Sequence, residues 1–213
     1  MPVTSSVDKP IKVPGCWELM GYDAPQYLNI RYPFPVDPPN IPDENPTGVY
    51  QRNFSLPKEW SDMRIILTFL GVSSAFDVFL GDHHIGGNKG SHLTAEFDLT
   101  PFLDSTNENL LKVVVYKWSD GAYLEDQDMW RFHGIFRDVN LTARPQNYLL
   151  DVHISADLDY KHNIGQFSAK FFTNQYAALP LKLSLCNPNG NLVFTRYQTS
   201  EKPCFEAISN VLP

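Results

Sequence analysis

The residues best equipped for chemistry fall in one stretch, Trp118-Ser119-Asp120-Gly121-Ala122-Tyr123-Leu124-Glu125-Asp126-Gln127-Asp128-Met129-Trp130-Arg131-Phe132-His133-Gly134-Ile135-Phe136-Arg137-Asp138-Val139. Asp120, Glu125, Asp126 and Asp128 share a single loop with Trp118 and Trp130. Carboxylates and amides bridge pairs of sugar hydroxyls, and an indole covers the apolar C–H face of a pyranose. A few placed polar groups set among apolar walls is the make-up of a ligand pocket. The same residues also suit an acidic, solvated connection with Trp118 and Trp130 in the core. Asp126 and Asp128 share a face if the chain is extended there, because side chains at i and i+2 point the same way. They are not read as a catalytic pair, since neighbouring acids are common in loops and nothing here raises the pKa of one of them. Trp130 fits either a stacking platform for a sugar or a core support for the loop. Arg131 and Arg137 flank the acids and are read as ion-pair partners of Asp126 or Asp138 that hold the loop.

Other chemistries find less support. His83-His84 sits in a turn and reads as solvated rather than metal-bound. Cys16, Cys186 and Cys204 are widely spaced with no Cys-x-x-Cys, which argues for reduced thiols and against structural zinc. A Gly-x-Ser-x-Gly elbow and a phosphate-cradling glycine loop are both missing from the sequence. Lys and Arg number 17 against 24 Asp and Glu, a net charge of −7, so no basic face for nucleic acid is expected. The longest apolar run, near residues 65–70, is far short of the ~20 residues that span a bilayer. Residues 1–10 lack the apolar centre of a secretory leader, so a cytoplasmic location is expected and Asn53-Phe54-Ser55 and Asn140-Leu141-Thr142 read as chance sequons.

The elements that must position these residues are strands. Eleven of the 17 prolines lie at or before Pro57, so the first quarter is irregular or extended. Its aromatics, Tyr27, Tyr32 and Phe34, predict that it is packed down rather than free. From Gly48 onward, short apolar or alternating runs are predicted as strands at 49–56, 64–69, 74–80, 94–99, 109–116 and 135–143. Gly81-Asp82 marks a two-residue hairpin. Strands at about ten-residue intervals with turn signals between them predict a jelly-roll-like β-sandwich over 1–145. Beyond Arg144-Pro145, further runs at 148–156, 165–173, 179–186 and 192–199 suggest an immunoglobulin-like β-sandwich over 146–213. With 213 residues in all, it is expected to stop before completion. The fold class is therefore all-β.

The 118–139 stretch closely resembles the N-terminal domain of the β-galactosidases of glycoside hydrolase family 2. Two further blocks carry the resemblance. One is Val13-Pro14-Gly15-Cys16-Trp17-Glu18-Leu19-Met20-Gly21-Tyr22-Asp23-Ala24-Pro25-Gln26-Tyr27-Leu28-Asn29-Ile30-Arg31-Tyr32-Pro33, running on to Asn45-Pro46-Thr47-Gly48. The other is Gly71-Val72-Ser73-Ser74-Ala75-Phe76. Gly134-Ile135-Phe136-Arg137-Asp138-Val139 suits several activities of the family, whereas 119–131 is specific to the galactosidase branch. The resemblance implies a jelly-roll sugar-binding domain, then immunoglobulin-like domains, then a TIM barrel that carries the catalytic glutamates. It implies that Asn29 and Asp128 bind galactosyl hydroxyls, and that Asp128 helps hold a monovalent cation, usually sodium. Glu125, Trp130 and Arg131 are implied as possible support, with Mg2+ bound elsewhere in the parent enzyme.

A barrel of about 250 residues cannot fit here, so no catalytic residue is assigned to this chain. The expected partners are a galactoside, the rest of the parent chain with its barrel, and further copies in a homo-oligomer. The family's Gly-x-Trp strand ahead of Val13-Pro14 has no counterpart, so a first strand is expected to be missing. His133 stands where the family often has a small or apolar residue and is assigned to packing. Two rivals remain open: a stand-alone galactoside-binding module, and a segment that completes another chain through an unpaired strand edge. The ending at Val211-Leu212-Pro213, in the middle of a sandwich, speaks against the module.

Overall fold

The computed structural model describes residues 9–104, 108–174, 179–200 and 204–211. The segment 1–8, read above for its lack of a leader, and residues 212–213 at the C-terminus lie outside the described residues. Two compact units divide the chain, Met1–Ala143 and Arg144–Pro213.

The first unit contains β1 (Gln26–Leu28), β2 (Thr47–Phe54), β3 (Arg64–Phe69), β4 (Ala75–Leu80), β5 (His83–Asn88), β6 (Ala95–Asp98), β7 (Asn109–Tyr116), β8 (Met129–Arg131) and β9 (Val139–Arg144). An antiparallel sheet in the order β2-β7-β4-β5 faces a three-stranded sheet, β6-β3-β9. Neither closes into a barrel. Period-two alternation sends Phe76, Val78 and Leu80 of β4 and Val113 and Val115 of β7 inward. There they meet Leu67 and Phe69 of β3. Phe69, Phe76 and Phe97 form an aromatic cluster at 4.8–6.0 Å between ring centres. The middle strand β3 is buried along five of its six residues, as its unbroken apolar run predicts. Gly81 takes a left-handed φ of 55° in the two-residue turn that joins Leu80 to His83.

The second unit holds β10 (Leu149–Asp159), β11 (Ile164–Thr173), β12 (Leu179–Cys186), β13 (Leu192–Ser200) and β14 (Cys204–Val211). Its sheets are β10-β11-β14 and β12-β13, around a small core of Ala169 and Phe171 with Val152, Phe167, Leu181 and Leu183. Asn187 caps the β12–β13 turn: its side-chain oxygen accepts the N–H groups of Asn189 and Asn191.

The proline-rich segment is strapped onto the first unit. Phe34 is buried against Trp118 and Tyr123, with ring centres 5.2 and 5.4 Å away. The Tyr32 hydroxyl donates to the Tyr123 carbonyl at 2.9 Å, and the Tyr123 hydroxyl donates to the Asn40 carbonyl at 2.6 Å. Asn45 both donates to and accepts from the main chain of Trp118.

One contact governs how tightly the N-terminal segment closes on the sandwich. Gly134 has φ of 111°, and a Cβ there would lie 3.0 Å from the Trp17 indole and from the Tyr50 hydroxyl. Gly134→Ala therefore combines a strained backbone with a clash. It is expected to destabilise the first unit by about 2 kcal/mol, read as a lower urea midpoint by tryptophan fluorescence; an unchanged midpoint would contradict this packing.

Candidate functional site

The site is built on a ladder that secondary-structure propensity does not announce. Segment 15–28 runs antiparallel to segment 129–135. The Gly15 N–H donates to the Ile135 carbonyl at 2.8 Å and the Trp17 N–H to the His133 carbonyl at 2.9 Å. Further along, β1 pairs with β8 in the register Gln26↔Arg131, Tyr27↔Trp130, Leu28↔Met129. Asn29 follows β1 and Asp128 precedes β8, so both flank the same end of the ribbon. The structure thus brings together the two residues that the family resemblance singled out, across about a hundred positions of chain.

Alternation then sorts the side chains. Met129, Arg131 and His133 turn inward, and Arg131 and His133 are 9% and 3% exposed. Asp128, Trp130 and Phe132 take the other face, where Trp130 is 54% exposed. Trp130 lies almost parallel to Phe132 (6.2 Å, 9°) and 5.6 Å from the ring of Tyr27. Of the two readings of Trp130, burial in the core is excluded by this exposure, while Trp118 is buried as a core residue.

Arg131 organises the acidic loop from below. Its guanidinium binds the Asp126 carboxylate and donates to the carbonyls of Glu125 (3.2 Å) and Gln127 (2.8 Å). Three contacts from one rigid fork fix the turn that presents Asp128. Glu125 is anchored in turn by Ser91, whose N–H and hydroxyl each donate to it, at 2.9 and 2.5 Å. The shared face expected for Asp126 and Asp128 is not formed. The chain bends at this point, Asp126 turns in to Arg131, and Asp128 turns out to Tyr27. Arg137 does not pair with Asp138; it donates to the carbonyls of Leu70 and His92 and lies on the Phe136 ring.

The two predicted ligands are open. Asp128 is exposed, and its Oδ1 accepts the Tyr27 hydroxyl. Among the described residues, the other Asp128 oxygen and the exposed Asn29 amide have no hydrogen-bond partner. Beside the ribbon, a cavity of about 180 Å³ is lined by Trp118, Glu125, Trp130, Arg131 and neighbouring residues. Neither Asn29 nor Asp128 lines it. Among the described residues, no three His, Cys, Asp or Glu side chains gather as a metal site. His83 and His84 lie not in the turn but at the start of β5, where His84 bonds Asp77 at 2.9 Å.

Sequence reasoning missed the group beneath the ribbon. His133 does more than pack: its Nδ1 lies 2.6 Å from Glu18 Oε1 and its main-chain N–H donates to Oε2 at 3.0 Å. The Glu18 side chain is fully buried, and His133 packs between Trp17 and Trp118. Burial pushes the Glu18 carboxyl up, but the hydrogen bonds from His133 outweigh burial and hold it below the usual glutamate value. Nearby, Lys117 binds Asp23 at 2.5 Å; burial raises the Asp23 carboxyl, and Lys117 with the Ala24 N–H brings it below the usual aspartate value. The only sequence signal for either pair was charge next to tryptophan, in Trp17-Glu18 and Lys117-Trp118.

Fold and ribbon together are those of a carbohydrate-binding β-sandwich. The chain belongs to the glycosyl hydrolases of family 2, whose sugar-binding domain model it matches over residues 4–145. The β-galactosidases of Yersinia pestis (strain Angola) and Yersinia pseudotuberculosis (serotype O:1b, strain IP 31758) are each 52% identical to it over 151 residues. Those alignments take in 70% of this chain and 14% of the relatives, so the chain spans only a small part of the curated relatives' length. Among solved structures, Bacteroides uniformis β-glucuronidase 2 matches with TM-score 0.70 and 25% identity, over 78% of this chain and 22% of that one. Bifidobacterium dentium β-glucuronidase shares the fold with TM-score 0.61 at 20% identity, over 77% and 33% of the two chains.

Because the folded Glu18 carboxyl sits below its ordinary value, the unfolded chain takes up that proton first as pH falls. The pair's stabilisation is complete above the ordinary glutamate range, near pH 4.3, and is lost below it. Glu18→Gln weakens the two hydrogen bonds from His133 and is expected to cost about 2 kcal/mol at pH 7 and to flatten the acid limb of stability against pH. Urea midpoints from pH 3 to 7 that run parallel in the two proteins would contradict it.

Proposed function

We propose that this chain is the N-terminal part of a retaining β-galactosidase that hydrolyses terminal β-D-galactosides such as lactose. Asn29 and Asp128 then position the non-reducing-end galactose in a pocket completed by a (β/α)8 barrel carrying the catalytic glutamates. The observation that supports this most is the open end of the β1–β8 ribbon. It carries the Asp128 carboxylate and the Asn29 amide at one ribbon end, near the exposed indole of Trp130. The 52% identity to β-galactosidases of Yersinia supports galactose over other family substrates.

Catalysis is assigned elsewhere for a chemical reason. Retaining glycosidases need two carboxyls about 5–5.5 Å apart, one as acid/base and one as nucleophile. Here Asp126 is held by Arg131 and Glu125 by Ser91, so the acids that precede Asp128 in the loop are committed to structure. What this chain contributes is placement, and a ~1 Å misplacement of substrate costs ~10²-fold in rate.

The free oxygen of Asp128 also suits a hard monovalent cation such as sodium, as one ligand among several. The remaining ligands would come from the rest of the parent chain, and Mg2+ would be held there too. Residues 146–213 are taken as immunoglobulin-like, and the parent as a cytoplasmic homo-oligomer. No helix among the described residues is long and apolar enough to cross a membrane.

Two measurements test this. An antibody against the chain should detect a polypeptide far above 24.3 kDa in the source cell; a band at that mass would favour a stand-alone binding module. In the full-length protein, Asp128→Asn should lower kcat/KM for lactose by about 10²-fold and weaken activation by sodium. Wild-type kinetics with an unchanged sodium response would remove Asp128 from the pocket.

A further inference from the structure

We propose that Tyr27 is a positioning residue for Asp128: its phenol takes up one carboxylate oxygen and turns the other toward the open end of the ribbon, where a galactosyl hydroxyl binds. This rests on the reading of the site given above. The sequence read Tyr27 only as an aromatic that packs its segment down, whereas its side chain is half exposed beside Asp128.

The geometry carries the argument. Tyr27 lies on β1, across the ladder from Trp130, and its hydroxyl donates to Asp128 Oδ1. The two residues are 101 positions apart in the chain, so the bond exists only because the ribbon is in this register. Tyr27 is 51% exposed, and its hydroxyl has water as an alternative partner, so burial does not compel the contact. The ring is held in place by Trp130, which in turn stacks on Phe132. An exposed aspartate would otherwise rotate freely about its two side-chain torsions. A hydrogen bond to a charged acceptor stops that rotation before substrate arrives, which lowers the ordering cost of binding. The bond also keeps the phenol protonated: the Asp128 hydrogen bond raises the Tyr27 hydroxyl above its ordinary value, so it remains a donor throughout the neutral range.

Arg131 completes the device from the other face. It fixes the main chain on the N-terminal side of Asp128 through the Glu125 and Gln127 carbonyls, while Tyr27 fixes the side chain. Backbone and carboxylate are thus held by separate partners. Removing the phenol hydroxyl should free the carboxylate without disturbing the loop.

The test is a double-mutant cycle in the full-length protein, with p-nitrophenyl-β-D-galactopyranoside as substrate and galactose as competitive inhibitor. Tyr27→Phe keeps the ring on Trp130 and removes only the hydroxyl. It is expected to leave the melting temperature unchanged, lower kcat/KM by about tenfold and weaken galactose inhibition in step. In an Asp128→Asn background, the same change should have no further effect. If Tyr27→Phe is silent while Asp128→Asn is damaging, the role of Tyr27 is overturned and the pocket reading stands. An equal loss from Tyr27→Phe in both backgrounds would likewise overturn it, since Tyr27 would then act independently of Asp128. If Asp128→Asn is itself silent, the pocket reading fails and this inference fails with it.

Discussion

The Glu18 carboxylate accepts two hydrogen bonds from His133, one from the imidazole and one from the main-chain N–H, with its own side chain wholly out of solvent. The second bond stands where a ladder carbonyl would otherwise accept. It lets segment 15–18 close on segment 133–135 even though Glu18–Met20 has already turned into a short 3-10 helix. Everything on the far face of the ribbon follows from that closure. With His133 pinned inward, alternation puts Arg131 inward and Trp130 outward, and the bend fixed by Arg131 presents Asp128 at the ribbon's end. A buried carboxylate is a costly way to join two segments, because it loses its water and must be repaid in hydrogen bonds. It does, however, permit one register only: a slip of one residue would bury Asp128 and Trp130 and expose a bonded arginine and histidine.

The strands of the two sheets were legible because each is a short apolar or alternating run bounded by turn residues. β3, β4 and β7 were read within a residue of their bounds, and the Gly81-Asp82 turn by its residue types. β9 begins later than its pattern suggested. Ile135 is buried and Gly134 bridges to Ser73, but the chain straightens into a ladder only at Val139. β1 and β8 were invisible for a physical reason. Each has three residues, one lies in a proline-rich stretch and the other at the end of an acidic loop, and both exist only through pairing with each other. A three-residue strand carries too little periodicity to detect, and its stability is entirely tertiary.

The candidate site was legible in a different way. Asn29 and Asp128 came from resemblance, and composition alone left the acidic loop as plausibly solvated as functional. The structure adds what neither route supplied: a shared ribbon end, a division of labour between Asp126 and Asp128, and the partners Tyr27 and Glu18. In an extended chain, aspartates two residues apart would share one face. A bend separates them, and one serves the fold while the other faces out. The first unit is therefore a scaffold whose sandwich core holds a ribbon, and whose ribbon ends in the two polar groups on which the proposed sugar contact rests.

The most direct measurement is a crystal structure of the full-length protein soaked with galactose. The account predicts a galactosyl ring at the open end of the ribbon, with hydroxyls about 2.7–3.2 Å from the Asn29 amide and from the Asp128 oxygen that Tyr27 leaves free. Galactose bound at a distance from the ribbon, or the ribbon end sealed by protein with no sugar against it, would contradict the account.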